Sequence, residues 1–390
     1  MGSIGGKLPG MTMERTAGPG APGAVPTPIP AVAHFLWFGH ELPWIYGLSL
    51  RSAALRGGFD RVVLHHADPL EGTPGWSVAL GTPGVEARPL RPEALLEGLG
   101  ARGGAWGARG GAWGARGGAL ADLYRRLGKP AARANLVRAA LLWGEGGVYL
   151  DTDTVTLGSF APLLGAGVFC GEEHLCLPEE LFRSAHPGRW ARAVALLALR
   201  DGLRRLPEGY RLFPRVSPLF WRRVNNAVLG GAPGHPFLAD LLRGMVEMPA
   251  SRQRRRYVLG THLLGQTVAR WRGGAGERAL DVGDVGDVGD GGDVGDVGDV
   301  GDVGVGGAGS AGPLVVHPPS LFYPLGPEIS EHWFRLRREV DLEGALGPDT
   351  VVVHWYASVR TRAIVPRVDP AYVRRNLGAQ LFSTLVEPLL

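Results

Sequence analysis

The stretch that decides the fold runs from Ala131 to Val155 and reads AARANLVRAALLWGEGGVYLDTDTV. Residues 131–143 are good helix formers with apolar side chains three and four positions apart, which predicts an amphipathic helix. The glycine-rich turn that follows ends this helix. Residues 148–150 then predict a short buried strand that delivers Asp151 and Asp153 at its carboxyl end. Because open α/β sheets bind their ligands at that edge, the stretch indicates a ligand site as well as a fold.

The residues before this stretch alternate between strand and helix patterns. The predicted elements are an apolar strand at 31–38, a helix at 42–56, and strands at 61–66 and 85–90. A strand, a helix and a second strand in under about 40 residues form a βαβ unit, which requires a parallel sheet. We therefore expect one α/β domain over residues 29–390, with a mostly parallel sheet flanked by helices.

The two carboxylates of the D-T-D sequence predict a metal site. If the chain turns after the strand, Asp151 and Asp153 can face one cleft, where their negative charge needs a cation. Oxygen ligands suit Mg²⁺ or Mn²⁺, and such an ion can neutralise a diphosphate leaving group. No G-x-G-x-x-G or G-x-x-x-x-G-K-[ST] motif is present to cradle phosphates, so a metal held by Asp153 would take that role.

Composition limits the classes of protein to which the chain can belong. Of its 390 residues, 45% are hydrophobic and 20% are charged, which excludes a wholly disordered chain. The net charge of +4 is too small for a nucleic-acid coat, so no nucleic-acid partner is expected. No apolar run approaches the roughly 18 residues that predict a membrane span. Two cysteines suggest a reducing compartment, and we expect a cytoplasmic location.

Three low-complexity tracts interrupt the pattern. Residues 1–28 are rich in glycine, proline and alanine and predict a disordered tail. A GARGGAW repeat and a tandem DVG repeat predict flexible insertions at about 100–118 and 281–312. The first repeat also fits an RGG-like nucleic-acid-binding segment, but its few arginines favour a surface loop. We expect both insertions to be dispensable for chemistry.

The 131–155 stretch resembles the DXD-containing sugar-binding region of nucleotide-sugar glycosyltransferases. This group includes the yeast initiating α-1,6-mannosyltransferase, α-1,4-galactosyltransferases and the glucosylating domains of large clostridial toxins. Their pattern, approximately S-D-x-x-R-x-x-x-L-x-x-x-G-G-x-Y-x-D-x-D, is matched in register at Arg138, Leu142, Gly146, Gly147, Tyr149, Asp151 and Asp153. Asn135 stands where the family usually has Asp. The resemblance implies a GT-A-like fold and transfer of a sugar from a UDP- or GDP-sugar, with retention of configuration.

The resemblance also implies roles for single residues. Arg138 would act with Asp151 and Asp153 in catalysis and would bind the donor sugar or its phosphate. The donor site would further include Trp37, stacked on the base at the end of an opening IPAVAHFLWFG strand, and Asn226 in an N-A … G-H-P-F segment. The full set implied for donor binding is Trp37, Asn135, Arg138, Tyr149, Asp151, Asn226 and Ser358.

A late VVVHWYAS sequence resembles the family's C-terminal H-x-x-x-S element. Related transferases use a histidine there as a further metal ligand, so His354 joins Asp151 and Asp153 as a predicted ligand of Mn²⁺ or Mg²⁺. Ser358 would contact the diphosphate. The acceptor, whether carbohydrate, lipid, protein or small molecule, is not indicated by the sequence.

Two other classes of function fit parts of the same sequence. VYLDTDTV also fits the D-x-D-x-[TV] motif of haloacid-dehalogenase-type phosphohydrolases, with Asp151 as nucleophile and Asp153 as acid/base. That chemistry normally uses a downstream lysine, and no lysine follows Asp151. A catalytically degenerate glycosyltransferase-like protein that only binds is the other alternative. For the enzyme, we expect Asp153→Asn to abolish turnover and, because a carboxylate facing an empty cleft adds only repulsion, to stabilise the metal-free protein slightly.

Overall fold

The computed structural model describes residues 27–102, 117–178, 181–182, 184–253, 257–273 and 312–390. The tail expected at 1–28 and most of both expected insertions lie outside these residues. The strands are β1 (Val32–Trp37), β2 (Arg61–His66), β3 (Val85–Pro89), β4 (Gly147–Leu150), β5 (Thr154–Thr156), β6 (Val168–Leu175), β7 (Trp221–Gly231), β8 (Leu314–His317) and β9 (Val352–His354). The division into one domain with two insertions stays a prediction.

Single α-helices, or runs of two or three, separate most of the strands along the chain, and two more follow the last strand. They are α1 (Trp44–Arg56), α2 (Pro74–Leu80), α3 (Pro92–Arg102), α4 (Gly117–Arg126), α5 (Pro130–Glu145), α6 (Pro187–Arg205), α7 (Gly209–Val216), α8 (Pro236–Glu247), α9 (Ala250–Gln253), α10 (Leu263–Arg272), α11 (Pro319–Phe322), α12 (Pro370–Arg375) and α13 (Leu381–Val386). The helix expected at 131–143 is therefore confirmed as α5. Residues 371–385, expected as one helix, form α12 and α13 instead.

Seven strands of the described residues form one sheet in the order β3-β2-β1-β4-β7-β6-β8. Strands β1, β2, β3, β4, β6 and β8 all run in the same direction. Strand β7 is antiparallel to its two neighbours, β4 and β6. The predicted mostly parallel α/β sheet is confirmed. The carboxyl ends of β1, β4 and β6 and the amino end of β7 consequently meet at one edge, where the D-T-D sequence lies.

Helices cover both faces of the sheet. Helices α3, α4, α5, α8 and α10 contribute to an apolar cluster on one face, and α1 and α2 pack with the strands in a second cluster. A third cluster joins α6, α7, α12 and α13 with part of α1. The strands are buried because helices lie on both sides, which explains their continuous apolar runs. No helix in the described part of the chain is long and apolar enough to cross a membrane.

A second, two-stranded sheet places residues 351–358, called the C-terminal element below, beside the D-T-D sequence. Strand β5 follows Asp153 directly and pairs antiparallel with β9, so that Thr154 lies opposite His354. Two serines of α1 hold this arrangement from the other side. The Ser49 hydroxyl donates to the Thr154 carbonyl (2.6 Å), and the Thr156 N–H donates to the Ser52 hydroxyl (2.9 Å). The position of the site therefore depends on contacts over more than 100 residues of sequence.

Candidate active site

Two glycines set the direction in which the chain runs from the end of α5 into β4. Gly146 and Gly147 have φ values of +70° and +103°, which only glycine adopts readily. A Cβ atom on Gly147 would lie 2.6 Å from the Val32 carbonyl oxygen of the neighbouring strand. The tight turn lets β4 pair with β1 directly after α5 and so brings Arg138 of the helix beneath Asp151 at the strand end.

Asp151 is held by side chains from α5 and β4. Its Oδ1 atom accepts hydrogen bonds from the Arg138 guanidinium (2.9 Å) and the Tyr149 hydroxyl (2.7 Å). Arg138 also lies over the Tyr149 ring at 4.2 Å and donates to the Asn226 carbonyl of β7. With 6% of its surface exposed, Arg138 is a buried cation whose charge Asp151 compensates.

Asp153 is held by the C-terminal element. Its Oδ2 atom accepts a hydrogen bond from the Ala357 backbone N–H (2.8 Å), and its Oδ1 atom lies 3.0 Å from Nε2 of His354. The Asp153 carbonyl also accepts from the Trp355 N–H (3.0 Å). Asp153 therefore does not face an empty cleft, as the sequence analysis assumed, because β9 and the residues after it cover it.

The Asp153–His354 contact determines the charge of both groups. Burial favours the neutral form of each, but the opposite charge of the partner outweighs it. The pKa of Asp153 is thus lowered and the pKa of His354 is raised. Both directions favour the ion pair between the Asp153 carboxylate and the His354 imidazolium over the neutral pair.

The three candidate ligands fit a divalent cation. One ligand atom each from Asp151, Asp153 and His354 lies within 4.8 Å of the others. Within the described part of the chain, the buried Nδ1 atom of His354 has no hydrogen-bond partner. Two carboxylates and an imidazole form a mixed oxygen and nitrogen donor set that suits Mn²⁺ better than Mg²⁺.

An amide pair lies beside this cluster. The Nδ2 atom of Asn226 on β7 donates to Oδ1 of Asn135 on α5 (2.9 Å). Gly260 packs against both amides, because a Cβ atom there would meet Asn135 Nδ2 at 2.8 Å and Asn226 Nδ2 at 3.1 Å. The adjacent Thr261 is buried, and its hydroxyl has no hydrogen-bond partner among the residues that the structure describes. The predicted donor-site residues Asn135, Arg138, Tyr149, Asp151 and Asn226 are thus brought together.

Trp37 and Ser358 flank the cluster. Trp37 ends β1, three residues after His34, which pairs with Tyr149 of β4, so the indole reaches the same edge as Asp151. Its ring packs on Tyr46 at 4.9 Å, and its buried Nε1 atom has no hydrogen-bond partner. Ser358 is exposed and directly follows Ala357, whose N–H binds Asp153. The roles of these two residues stay predictions.

Several residues that complete the site were not found from the sequence. Glu173 of β6 is 1% exposed and accepts a hydrogen bond from the hydroxyl of Tyr356, whose ring lies 4.0 Å from that of His354. A charged residue within an apolar strand, as in VFCGEEHL, is the signal that could have identified Glu173. Ser49 carried no such signal, because a serine in an apolar helix is not unusual.

The cysteine–histidine stretch of β6 does not form a metal site in the described structure. Cys170 lies within β6 and Cys176 directly follows it, and both thiols are free and buried. Neither they nor His174 take part in the metal-ligating group found among the described residues.

Comparison with known proteins identifies the site. Residues 117–169 match the family model described as the glycosyltransferase sugar-binding region containing DXD motif. This stretch is similar to a DXD sugar-binding region. The match covers α4, α5, β4 and the D-T-D sequence, and it confirms both the resemblance and the predicted class of enzyme, a glycosyltransferase. The mostly parallel sheet agrees with the GT-A-like fold that the resemblance implied.

Solved structures of glycosyltransferases are also similar to the chain. The PaToxG glycosyltransferase is 14% identical, with 63% of this chain and 70% of that chain covered and a TM-score of 0.38. The UDP-bound glycosyltransferase domain from the YGT toxin is 12% identical (56% and 62% covered, TM-score 0.30). The catalytic domain of alpha-toxin from Clostridium novyi is 10% identical (66% of each chain covered, TM-score 0.27). No curated protein matches the chain significantly.

Proposed function

We propose that the protein is a metal-dependent glycosyltransferase that moves a sugar from a UDP- or GDP-sugar to a carbohydrate, lipid, protein or small-molecule acceptor. The observation that carries this proposal is the cluster of Asp151, Asp153 and His354 at the carboxyl edge of the sheet, inside a DXD sugar-binding region. The described side chains supply both a cation site and polar groups for a sugar. The cytoplasmic location stays a prediction.

Asp151, Asp153 and His354 would hold Mn²⁺, or Mg²⁺ in its place. The bound ion would neutralise charge on the diphosphate leaving group. Arg138 fixes one oxygen of Asp151 and leaves the other oxygen for the ion or the ribose. The buried guanidinium also places a permanent positive charge next to the position where the diphosphate would lie.

The amide pair would bind the donor sugar. In the pair, Asn135 Oδ1 accepts from Asn226 Nδ2, so the side-chain Nδ2 of Asn135 and the side-chain Oδ1 of Asn226 can bind sugar hydroxyls. Trp37 would stack on the base, and the exposed Ser358 hydroxyl would donate to the diphosphate. These roles follow the family resemblance and the position of each residue at one edge of the sheet.

Transfer with retention of configuration agrees with the carboxylates of the site. Asp151 forms an ion pair with Arg138, and Asp153 forms one with His354. Glu173 is buried and accepts hydrogen bonds from three side chains. None of the three is free to act as a general base for an acceptor hydroxyl. Attack on the donor's front face, assisted by the departing diphosphate, requires no such base.

Donor hydrolysis with Mn²⁺ tests the proposal without knowledge of the acceptor. The protein is incubated with a panel of UDP- and GDP-sugars, and the release of free nucleoside diphosphate is measured with and without Mn²⁺. We expect Mn²⁺-dependent release from at least one donor, lost in Asp153→Asn and retained in Asp60→Asn, a variant of an exposed carboxylate. Turnover of small phosphoesters alone would favour the phosphohydrolase, and no turnover of any donor would favour a binding protein.

The anomeric outcome is a separate test. NMR of the sugar released or transferred distinguishes retention from inversion. An inverted product would contradict the stereochemical part of the proposal and leave nucleotide-sugar transfer intact.

A further inference from the structure

A buried carboxylate outside the candidate metal cluster connects the central sheet to the C-terminal element. Glu173 lies on β6 and is 1% exposed. It accepts hydrogen bonds from the Asn225 amide (2.6 Å), the Arg223 guanidinium (2.7 Å) and the Tyr356 hydroxyl (3.0 Å). Arg223 and Asn225 belong to the adjacent strand β7, whereas Tyr356 follows β9, 183 residues away in sequence.

Tyr356 is the residue through which Glu173 can act on the metal cluster. Its ring centroid lies 4.0 Å from that of His354, and the next residue, Ala357, donates its N–H to Asp153. Its φ of +56° is in the left-handed region, which costs a tyrosine free energy unless other contacts hold it there.

We propose that Glu173 is a positioning residue for the divalent cation. By accepting the Tyr356 hydrogen bond, Glu173 fixes the strained backbone of the 354–357 segment and the ring that packs on His354. The orientation of His354 and the Ala357 N–H that fixes Asp153 both depend on this contact. The inference rests on the proposed function, because it assumes that Asp153 and His354 hold a metal.

A second buried tyrosine provides a matched control. The Tyr323 ring also lies beside His354, with ring centroids 5.9 Å apart. Its hydroxyl, however, accepts a hydrogen bond from the Val228 backbone N–H (3.1 Å), whereas the hydroxyl that donates to Glu173 is that of Tyr356. Tyr356→Phe and Tyr323→Phe therefore each remove one hydroxyl from a ring beside His354, but only the first removes the hydrogen bond from Tyr356 to Glu173.

The experiment measures Mn²⁺ affinity directly, from the electron paramagnetic resonance signal of free Mn²⁺, in the absence of any sugar nucleotide. We compare the wild type with Tyr356→Phe, Glu173→Gln and Tyr323→Phe, each checked for folding by circular dichroism. Loss of a partner that orients a metal ligand typically weakens metal affinity about 10- to 100-fold. We expect that loss in Tyr356→Phe and Glu173→Gln, and a change of less than about threefold in Tyr323→Phe.

The kinetic readout separates positioning from chemistry. For donor hydrolysis, we expect Tyr356→Phe and Glu173→Gln to raise the Mn²⁺ concentration needed for half-maximal rate and to leave kcat at saturating Mn²⁺ within a few-fold of wild type. Wild-type Mn²⁺ affinity in a folded Tyr356→Phe or Glu173→Gln protein, or an equal loss in Tyr323→Phe, would overturn the inference. Wild-type Mn²⁺ affinity in Asp153→Asn would show that Asp153 does not bind the metal, and the inference would then lose its basis.

Failure of the proposed function gives a different result. A wild type that binds Mn²⁺ but hydrolyses no nucleotide sugar, with weaker Mn²⁺ binding in the two variants, would support the positioning role and contradict the transferase activity. Affinity and turnover are thus tested independently.

Discussion

Asp153 shows how a single carboxylate can serve both the fold and the chemistry. The sequence places it beyond the end of β4, where we expected it to face an empty cleft. In the structure it is partly buried, pairs with the buried His354 and accepts the Ala357 N–H. The premise of slight stabilisation by Asp153→Asn is therefore wrong, since removing one partner of a largely buried ion pair is destabilising.

We now expect Asp153→Asn to lower both turnover and the stability of the metal-free protein. Loss of a well-placed electrostatic group costs about 10²–10³ in rate. The melting temperature without metal should fall, because the His354 imidazolium loses its counter-charge. Calorimetry with and without Mn²⁺ checks both points, and the mutant should gain much less from Mn²⁺ than the wild type. Unchanged turnover with unchanged Mn²⁺-dependent stabilisation would remove Asp153 from the site.

The turn between α5 and β4 illustrates what a sequence determines at the scale of an element. The Gly146-Gly147 pair could be identified as a helix end from its residue types alone. The close approach of Gly147 to the Val32 carbonyl follows only from strand order, because β1 and β4 are neighbours through the topology of the sheet.

Gly147→Ala should destabilise the protein by about 2 kcal/mol or more, since its backbone is strained for alanine and its Cβ would collide with Val32. Gly98→Ala provides the control. Gly98 lies in helix α3 with nothing within 4 Å of an added Cβ, so alanine there should stabilise by about 0.5–1 kcal/mol. Urea unfolding of both variants checks the contrast, and equal effects would contradict it.

A buried histidine pair links β1, β2 and the same turn. His34 Nε2 lies 2.9 Å from the Gly146 carbonyl, to which it must donate, so His34 Nδ1 accepts from His65 Nε2 at 2.9 Å. Burial lowers the pKa of His34 to about 4 and that of His65 to about 2. Both rings are neutral at pH 7.

The burial of this pair predicts that the protein loses stability on acidification at pH values above those at which carboxylates usually titrate. In the unfolded chain the two histidines bind protons near pH 6.5, whereas the folded chain resists protonation down to about pH 4. The free energy of unfolding should therefore fall from pH 7 to pH 4, by up to about 1.4 kcal/mol per pH unit for each histidine. Urea midpoints across this range check the slope. His65→Gln should reduce the slope, and a stability that rises on acidification would contradict the prediction.

At the scale of the whole molecule, local patterns predicted β1 to β4 and the helices α1 and α5, but not α2, α3 and α4 or the way the chain closes the site. The antiparallel strand β7 enters the sheet between β4 and β6, and β9 pairs with β5 outside it. Both pairings join residues far apart in sequence, which no local periodicity encodes. Arg138 and Tyr149, which contact Asp151, lie within 13 residues of it and were already candidate site residues, whereas the contact from Tyr356 to Glu173 joins residues 183 apart and was not predicted.

Residues 274–311 contain the DVG repeat, and the structure describes the residues that flank them. Trp271, near the end of α10, packs its ring 5.6 Å from that of His235. At the other end of the segment, the carbonyl oxygen of Gly312 lies 3.3 Å from His235 Nε2. The two ends of the segment thus meet at one imidazole, so a short linker can join them.

We expect replacement of 274–311 by eight glycine and serine residues to preserve folding and activity. Such a linker reaches about 16 Å on average, enough to join two ends at the same side chain. Shortening the loop lowers the entropy cost of closure, so the free energy of unfolding should rise by about 1 kcal/mol. Urea unfolding and Mn²⁺-dependent donor hydrolysis are compared with wild type, with turnover expected within about twofold. A large loss of donor hydrolysis in a folded variant would instead assign the aspartate repeat a part in the reaction.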